Sequence, residues 1–309
     1  MAKTLIPLKA NGDLTIYLGI DIGGTMIKWG LIRSDGIVLE SGLVATEPER
    51  GQQCFLQKLL KLITRVKGRG IAGIGISTAG IVDSGSGTVI DGIQNIPFLK
   101  GLNLKAFLEG ETGLSVRVVN DVRAAALGEK WIGAGQDCDT FFCMTIGTGI
   151  GGCLMIDSKI FEGAHFRAGE IGYFNYEDET RFLEKHSSAR GLLENAKEEL
   201  GEVLSSSEFF ERVQKNDTRT VGVFDHWVGQ IAKAIATVII LFDPQKVIIG
   251  GGITEQGSLL LNVIRQKTAE CLPDGFAAQC PIELATCKND AGVVGAVRFL
   301  MDSEYTMNT

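Results

Sequence analysis

Asp21-Ile-Gly-Gly-Thr25 and Thr145-Ile-Gly-Thr-Gly149 decide the fold. Each follows an apolar run, Tyr17 to Ile20 and Phe141 to Met144. Each opens into a second one, Met26 to Ile32 and Gly152 to Ile156. A strand, a glycine turn carrying a hydroxyl and a second strand make a hairpin whose tip presents backbone N–H groups. Such groups bind oxyanions, and small residues let phosphate oxygens reach the chain. One such turn alone reads equally as an ordinary hairpin. A matched pair, about 124 residues apart counted from Asp21 to Thr145, points to a duplication and to two related domains gripping one polyphosphate.

The commoner phosphate loops do not fit. A Walker A loop needs a Lys after its last glycine and then a helix, and a dinucleotide fingerprint also opens into a helix. Here Gly24 and Thr25 run into Met26-Ile-Lys-Trp-Gly-Leu-Ile32, which is rich in strand formers. The chain of 309 residues is natural for two domains. With 45% hydrophobic and 22% charged residues it has the composition of a soluble globule. A net charge of −7 lacks the basic surface that nucleic acid requires. It leaves room for a nucleotide held by local N–H groups and a metal ion. The longest apolar run, Ile231 to Phe242, carries Lys233 and meets Asp243-Pro244, so it reads as a buried helix rather than a membrane span. Residues 1–14 lack the apolar core of a signal peptide. Seven cysteines without a CxxC pair suggest reduced thiols and a cytoplasmic protein.

Periodicity predicts strands at 15–21, 26–33, 36–44, 71–77 and 116–119, with helices at 49–67 and 121–132. The second half reads as strands at 140–146, 151–156 and 159–162, then helices at 187–200, 207–215 and 219–242. A strand at 246–250, a helix at 257–271, a strand at 281–285 and a helix at 290–301 follow. Each half opens with a three-strand meander and continues with alternating helices and strands. That order predicts an α/β protein whose mixed sheets carry helices on their faces.

With these elements in place, the chain resembles the ROK family of repressors and sugar kinases. The motifs are DIGGTMIK (21–28), VVNDVRAAALGE (118–129), IGTGIGG (146–152), RAGEIG (167–172), IIGGGI (248–253) and AGVVGAV (291–297). The resemblance implies two ribonuclease-H-like, actin-like domains with an interdomain cleft. Their expected extents are residues 1–122 and 123–309, with the last helix able to pack back on the N-terminal domain. It further implies ATP-dependent phosphorylation of a sugar, with Mg²⁺, by a cytoplasmic homodimer.

Asn120-Asp121 stands where an apolar strand ends and a helix begins, a place where ligand crevices form in open sheets. An Asp there is also a common helix N-cap. The resemblance makes Asp121 the catalytic base and gives Asn120 the neighbouring sugar hydroxyls. Asp21 reads as a turn residue or, by resemblance, as the carboxylate that orients Mg²⁺ through water. Phosphate contacts fall to Gly23, Gly24, Thr25 and Lys28 at the first hairpin, and to Gly147, Thr148 and Gly149 at the second. Gly250, Gly251 and Gly252 read either as a strand-to-helix turn or as the floor of an adenosine pocket. Asn95, in the loop Ile93–Pro97, lines the expected sugar pocket. Glu170 is either an exposed loop residue or the sugar-binding Glu of the family.

The chain departs from the family pattern at Tyr173, where a zinc-binding His is usual, and at Glu177 to Glu184, where a cysteine cluster is usual. Four N or S ligands are therefore not at hand, and no zinc is expected. Glu184 aligns with the last residue of that cluster and inherits its sugar contact. Only about fourteen residues precede the first strand, too few for the DNA-binding helices of a ROK repressor, which favours the kinase reading. Zinc-free members include N-acetylmannosamine kinases and β-glucoside kinases. N-acetylmannosamine is the favoured sugar, with β-glucosides or glucose as alternatives.

Overall fold

A computed structural model describes residues 14–92, 95–175 and 182–307. The chain divides into two compact units. The first comprises residues 1–128 and 290–309, and the second 129–289.

The first unit begins with the meander β1 (Ile16–Ile22), β2 (Met26–Arg33) and β3 (Val38–Ala45). Helix α1 (Gly51–Lys67) follows, burying Phe55, Leu59, Leu62, Ile63 and Val66 along one stripe. Then come β4 (Ile71–Thr78), a small ribbon of β5 (Ile81–Asp83) and β6 (Thr88–Asp91), α2 (Leu104–Thr112), β7 (Ser115–Asn120) and α3 (Asp121–Ile132). The ribbon and α2 were not predicted. Their apolar residues come in runs too short for a period, and they fold because Val82, Val89, Leu104 and Leu108 reach the same core as β1. The five-stranded sheet has the order β3-β2-β1-β4-β7. Strands β1 to β3 are antiparallel, whereas β1, β4 and β7 are parallel.

The second unit repeats this plan. Its strands are β8 (Phe141–Ile146), β9 (Ile150–Ile156), β10 (Lys159–Ile160), β11 (Val247–Gly250) and β12 (Ile282–Leu284), in the order β10-β9-β8-β11-β12 with the same pattern of directions. Between β10 and β11 lie α4 (Leu183–Ser187), α5 (Ala189–Leu200), α6 (Ser206–Gln214) and α7 (Thr218–Phe242). Between β11 and β12 lie α8 (Gly257–Glu270) and α9 (Phe276–Gln279). Side chains cap three of these six helices: Ser188 accepts from Gly191 N, Ser205 and Glu208 form a capping box, and Asp217 accepts from Thr220 N. Among the described residues α7 alone is long and apolar enough to cross a membrane. It lies instead in the core, burying Phe224, Trp227, Ile231, Ile235 and Ile239. Its end departs from the predicted burial, because Ile240, Leu241 and Phe242 are exposed. No disulfide joins any of the seven cysteines.

The last helix, α10 (Ala291–Met307), returns to the first unit and packs across β1, β4 and β7. The contact is backbone to backbone. A Cβ on Gly19 would lie 2.4 Å from Val293 O, and one on Gly75 would lie 2.2 Å from Ala296 O. Gly19 and Gly75 are register partners on neighbouring strands, so together they make a floor that only glycine provides. The 122/123 boundary therefore needs correcting. It falls inside the continuous helix α3, and the chain enters the second unit after Gly128 and leaves it after Asn289.

Candidate functional site

In the first unit, strand register brings the polar ends together. Asp21 pairs with Ser77, Ile22 with Thr78, and Thr78 with Asn120, so all sit at the carboxyl edge of the three parallel strands. The first glycine turn tops the same edge. Gly23 N donates to Met26 O at 3.0 Å, closing the turn. Thr46 holds it from behind, its hydroxyl donating to Gly23 O at 2.7 Å and its N–H to Thr25 O at 2.9 Å. Lys58 of α1 in turn donates to the carbonyls of Ala45 and Thr46 and pairs with Glu47 at 2.7 Å. Asn95 lies against Gly24, where a Cβ would come within 3.0 Å of the Asn95 side chain. Ile93 and Gln94 of that loop fall outside the described residues.

Asp21 accepts the Ser77 hydroxyl at 2.7 Å and faces Lys28 across the hairpin. Burial pushes its carboxyl above the ordinary value, against the smaller opposing pull of Ser77 and Lys28. The N-terminus of α10 closes over it, leaving no room for a Cβ at Gly292.

The cap of α3 falls mainly to Asn120, with Asp121 Oδ1 sharing Val122 N at 2.9 Å. Asn120 Oδ1 accepts from Val122 N at 3.0 Å and from Arg123 N at 3.1 Å. Its amide donates to Gly80 O and to Asp121 Oδ1, both at 2.9 Å. Both of its amide hydrogens and its carbonyl are thus engaged within the protein. Asn120 thus caps α3 and holds the Asp121 carboxylate through its amide. Asp121 stands half-buried at the first turn of α3.

In the second unit the glycine turn 147–149 joins β8 to β9, with Gly147 N donating to Gly149 O at 2.9 Å. Thr145 pairs with Gly250 in the parallel strand β11, which sets the Gly250–Gly252 turn beside this hairpin. Gly251 has φ +88°, and a Cβ there would lie 2.3 Å from Ile146 O. Space is open beside Gly147 and Gly252, where a Cβ would meet nothing within 4 Å. Glu184, expected at the sugar, is on the hairpin itself: its Oε2 accepts from Ile150 N at 3.0 Å. Glu170 precedes a short 3-10 turn, Ile171–Tyr173, that packs on β9 with Gly172 against Ile150 O. Residues 177–181 of the stretch expected to lack zinc ligands lie outside the described residues. Among the described residues no group of three metal-binding side chains is found.

Ser77, Thr46 and Lys58 are additions that the sequence did not mark. Each reaches its partner through strand or helix pairing, and none carries a local motif.

The fold and these hairpins define a phosphate-handling α/β protein, and comparison with known proteins makes the class specific. The chain matches the ROK family over residues 17–303 and belongs to it. It is 32% identical to a β-glucoside kinase of Listeria monocytogenes, over 92% of this chain and 97% of that one. A ROK glucokinase of Streptomyces griseus, solved with glucose and AMPPNP, is 30% identical with a TM-score of 0.77, covering 91% of this chain and 97% of that one. A proposed N-acetylmannosamine kinase of Listeria monocytogenes is also 30% identical, with a TM-score of 0.83, covering 94% and 100%. The protein is a sugar kinase of the ROK family.

Proposed function

We propose that this kinase transfers the γ-phosphoryl group of ATP to the 6-hydroxyl of a hexose-type sugar, with Asp121 as general base. The observation that carries this reading is the strand register that sets the first glycine hairpin, Asp21 and Asn120-Asp121 on one edge. Asp121 accepts the hydroxyl proton as the sugar oxygen attacks phosphorus, and Asn120 holds the carboxylate in place through Oδ1. A primary hydroxyl is the least crowded nucleophile on the ring. Phosphoryl transfer asks mainly for positioning and charge stabilisation. The N–H groups at the tip of each glycine turn are donors of this kind, and in the second unit the open space at Gly147 and Gly252 fits a nucleotide lying against backbone. Mg²⁺ enters with ATP and offsets phosphate charge, and Asp21 is the carboxylate placed to hold its waters. Glu170, Glu184 and Asn95 are the candidate sugar contacts. The cytoplasm and a homodimer belong to the same proposal.

The segments GISTAGIVD (75–83), ITEQG (253–257) and KNDAG (288–292) resemble N-acetylmannosamine kinases and support that sugar first, whereas FRAGEIGY (166–173) and LFDP (241–244) are at least as much like β-glucoside kinases. A β-glucoside is the second reading, favoured by the 32% identical relative. A coupled assay with ATP, Mg²⁺ and N-acetylmannosamine, N-acetylglucosamine, glucose or cellobiose decides between them. Turnover with none of the four would overturn the kinase mechanism proposed for these residues.

Three further outcomes are expected. Lys58→Met keeps the length of the side chain and removes the ammonium behind the first hairpin. It should raise the KM for ATP about tenfold, equivalent to roughly 1.4 kcal/mol, and leave the sugar KM unchanged. Equal changes in both constants would mean that Lys58 supports the unit generally. Asp21→Asn tests the burial of a charge. An acid whose pKa is raised by folding favours the native state most below its ordinary value, and that contribution is lost as pH rises through the folded value. Burial of the Asp21 carboxyl is therefore a cost at pH 7, and Asn should raise the Tm of the nucleotide-free protein while abolishing the further rise expected from MgATP. A lower Tm for Asp21→Asn would contradict this. Finally, elemental analysis of purified protein should find well under one zinc per chain, because Tyr173 is not a zinc ligand. One tightly held zinc would place the ligands elsewhere.

A further inference from the structure

We propose that Ser77 is a positioning residue for the phosphoryl transfer: its hydroxyl holds the Asp21 carboxylate away from Lys28 and so keeps it open to a divalent cation. This rests on the Mg²⁺ role proposed above for Asp21 and names the residue on which that role depends. Ser77 lies near the end of β4 and is fully buried. Strand register sets it beside Asp21 in β1, and sets Asp21 opposite Lys28 in β2. Ser77, Asp21 and Lys28 therefore form one row across one face of the sheet. Within that row the Ser77 hydroxyl donates to Asp21 Oδ1 at 2.7 Å.

A buried hydroxyl costs free energy unless it is hydrogen-bonded. Ile74 and Ile76 of the same strand are fully buried and apolar, so an alanine would serve packing at position 77 equally well. What a serine adds is a donor, and Asp21 is the acceptor it reaches. The carboxylate is bounded on a second side by α10. A Cβ on Gly292 would lie 2.7 Å from Asp21 Cγ and 2.8 Å from Oδ2, so the carboxylate occupies the cradle that the glycine leaves. Asp21 is nonetheless only half-buried, at the carboxyl edge where the first glycine turn begins. A carboxylate held in this way fits a hard cation, which takes oxygen ligands and waters.

Lys28 is the competitor. Directly opposed residues of antiparallel strands have Cβ atoms about 4.5–5.5 Å apart, within reach of an ion pair. Pairing with Lys28 would turn the carboxylate along the row, offset its charge, and withdraw the ammonium from phosphate. The Ser77 hydroxyl binds Asp21 from the opposite side of the row and opposes that turn. Hydrogen bonds to an ionised acceptor are about twice as strong as neutral ones, so a single hydroxyl is enough to bias the choice.

Calorimetric titration of the full chain with AMPPNP, in excess Mg²⁺ and again in EDTA, reads cation binding without turnover. The wild type should bind about tenfold more tightly with Mg²⁺, and Asp21→Asn should bring that ratio to about one. Ser77→Ala should lower it to about twofold and leave the affinity in EDTA within about twofold of wild type. Ser77→Cys keeps a side chain of similar shape with only a weak donor, and should fall between. The decisive variant combines Ser77→Ala with Lys28→Met. Its affinity should be lower in both buffers, since Lys28 is a proposed phosphate contact, but the ratio should return toward about tenfold. A purely structural role for Ser77 gives no such return. Loss of the ratio in Ser77→Ala that Lys28→Met does not restore would overturn the proposal. So would a wild-type ratio in both Ser77 variants; if Asp21→Asn has then lost the ratio, the cation role of Asp21 survives and only the part given to Ser77 falls. A ratio retained by Asp21→Asn removes the cation role itself, and the proposal with it.

Discussion

Asp121→Asn is expected to lower kcat by about 10²–10⁴, the usual range for loss of a general base, with the sugar KM within a few-fold of wild type. The substitution keeps the shape of the side chain and removes its capacity to take a proton. The N-cap role that once competed for this residue is filled by Asn120, whose Oδ1 accepts from Val122 and Arg123. Helix α3 should therefore keep its start, and the thermal midpoint should change little. The Asn120 amide, which now donates to Asp121 Oδ1, can still donate to the carbonyl oxygen of an Asn at position 121. Steady-state kinetics alongside thermal unfolding separate the outcomes. Near-normal kcat would remove Asp121 from the chemistry, and a large fall in stability would make it a structural residue.

Glu129→Ala is expected to destabilise the fold by roughly 3–5 kcal/mol, a large share of the about 5–15 kcal/mol typical of a domain. Glu129 lies on α3, fully buried. Its Oε2 accepts from Ala134 N at 2.7 Å, Thr286 N at 3.1 Å and the Thr286 hydroxyl at 3.2 Å, and its Oε1 accepts from Cys287 N at 2.8 Å. Truncation removes the acceptor of three backbone N–H groups, at half-buried Ala134 and Cys287 and exposed Thr286, each worth about 1–3 kcal/mol where water does not replace it. Glu129→Gln recovers only part of this, because one carboxylate oxygen becomes an amide that faces donors. Urea unfolding should show a lower midpoint at an unchanged slope. A loss below about 1 kcal/mol for the alanine variant would mean that water or a shift of the chain satisfies those groups.

Glu129 also shows where reading a sequence stops. It sits in the VVNDVRAAALGE motif, yet apart from Ala134 its partners are 157 and 158 residues downstream. Asn120 and Asp121 pose the same problem at short range. Either is a good N-cap by composition, and the choice is made by Gly80, a residue 40 positions away that takes the Asn120 amide. Glu184 was marked by motif alone, and packing of α4 against β9 gives its carboxylate a partner that no motif announces, Ile150 N.

Other features were legible because their causes are local. The apolar runs on either side of the glycine turns are strands with the predicted limits to within a few residues, since two hydrogen-bonded runs joined by a short turn specify their own pairing. Helix α1 followed from a stripe at helical spacing. The repeated meander was implied by the repeated turn, and the two sheets share one order. The sequence by itself thus determined the α/β class, the two hairpins and the strand-end position of Asp121. The tertiary structure alone decided that Gly19 and Gly75 make the floor on which α10 rests, that Thr46 and Lys58 hold the first hairpin, and that the Asn120 amide holds Asp121. Backbone propensity and period act over a few residues, whereas these contacts exist only once strands distant in sequence have been set side by side by burial of the core they share.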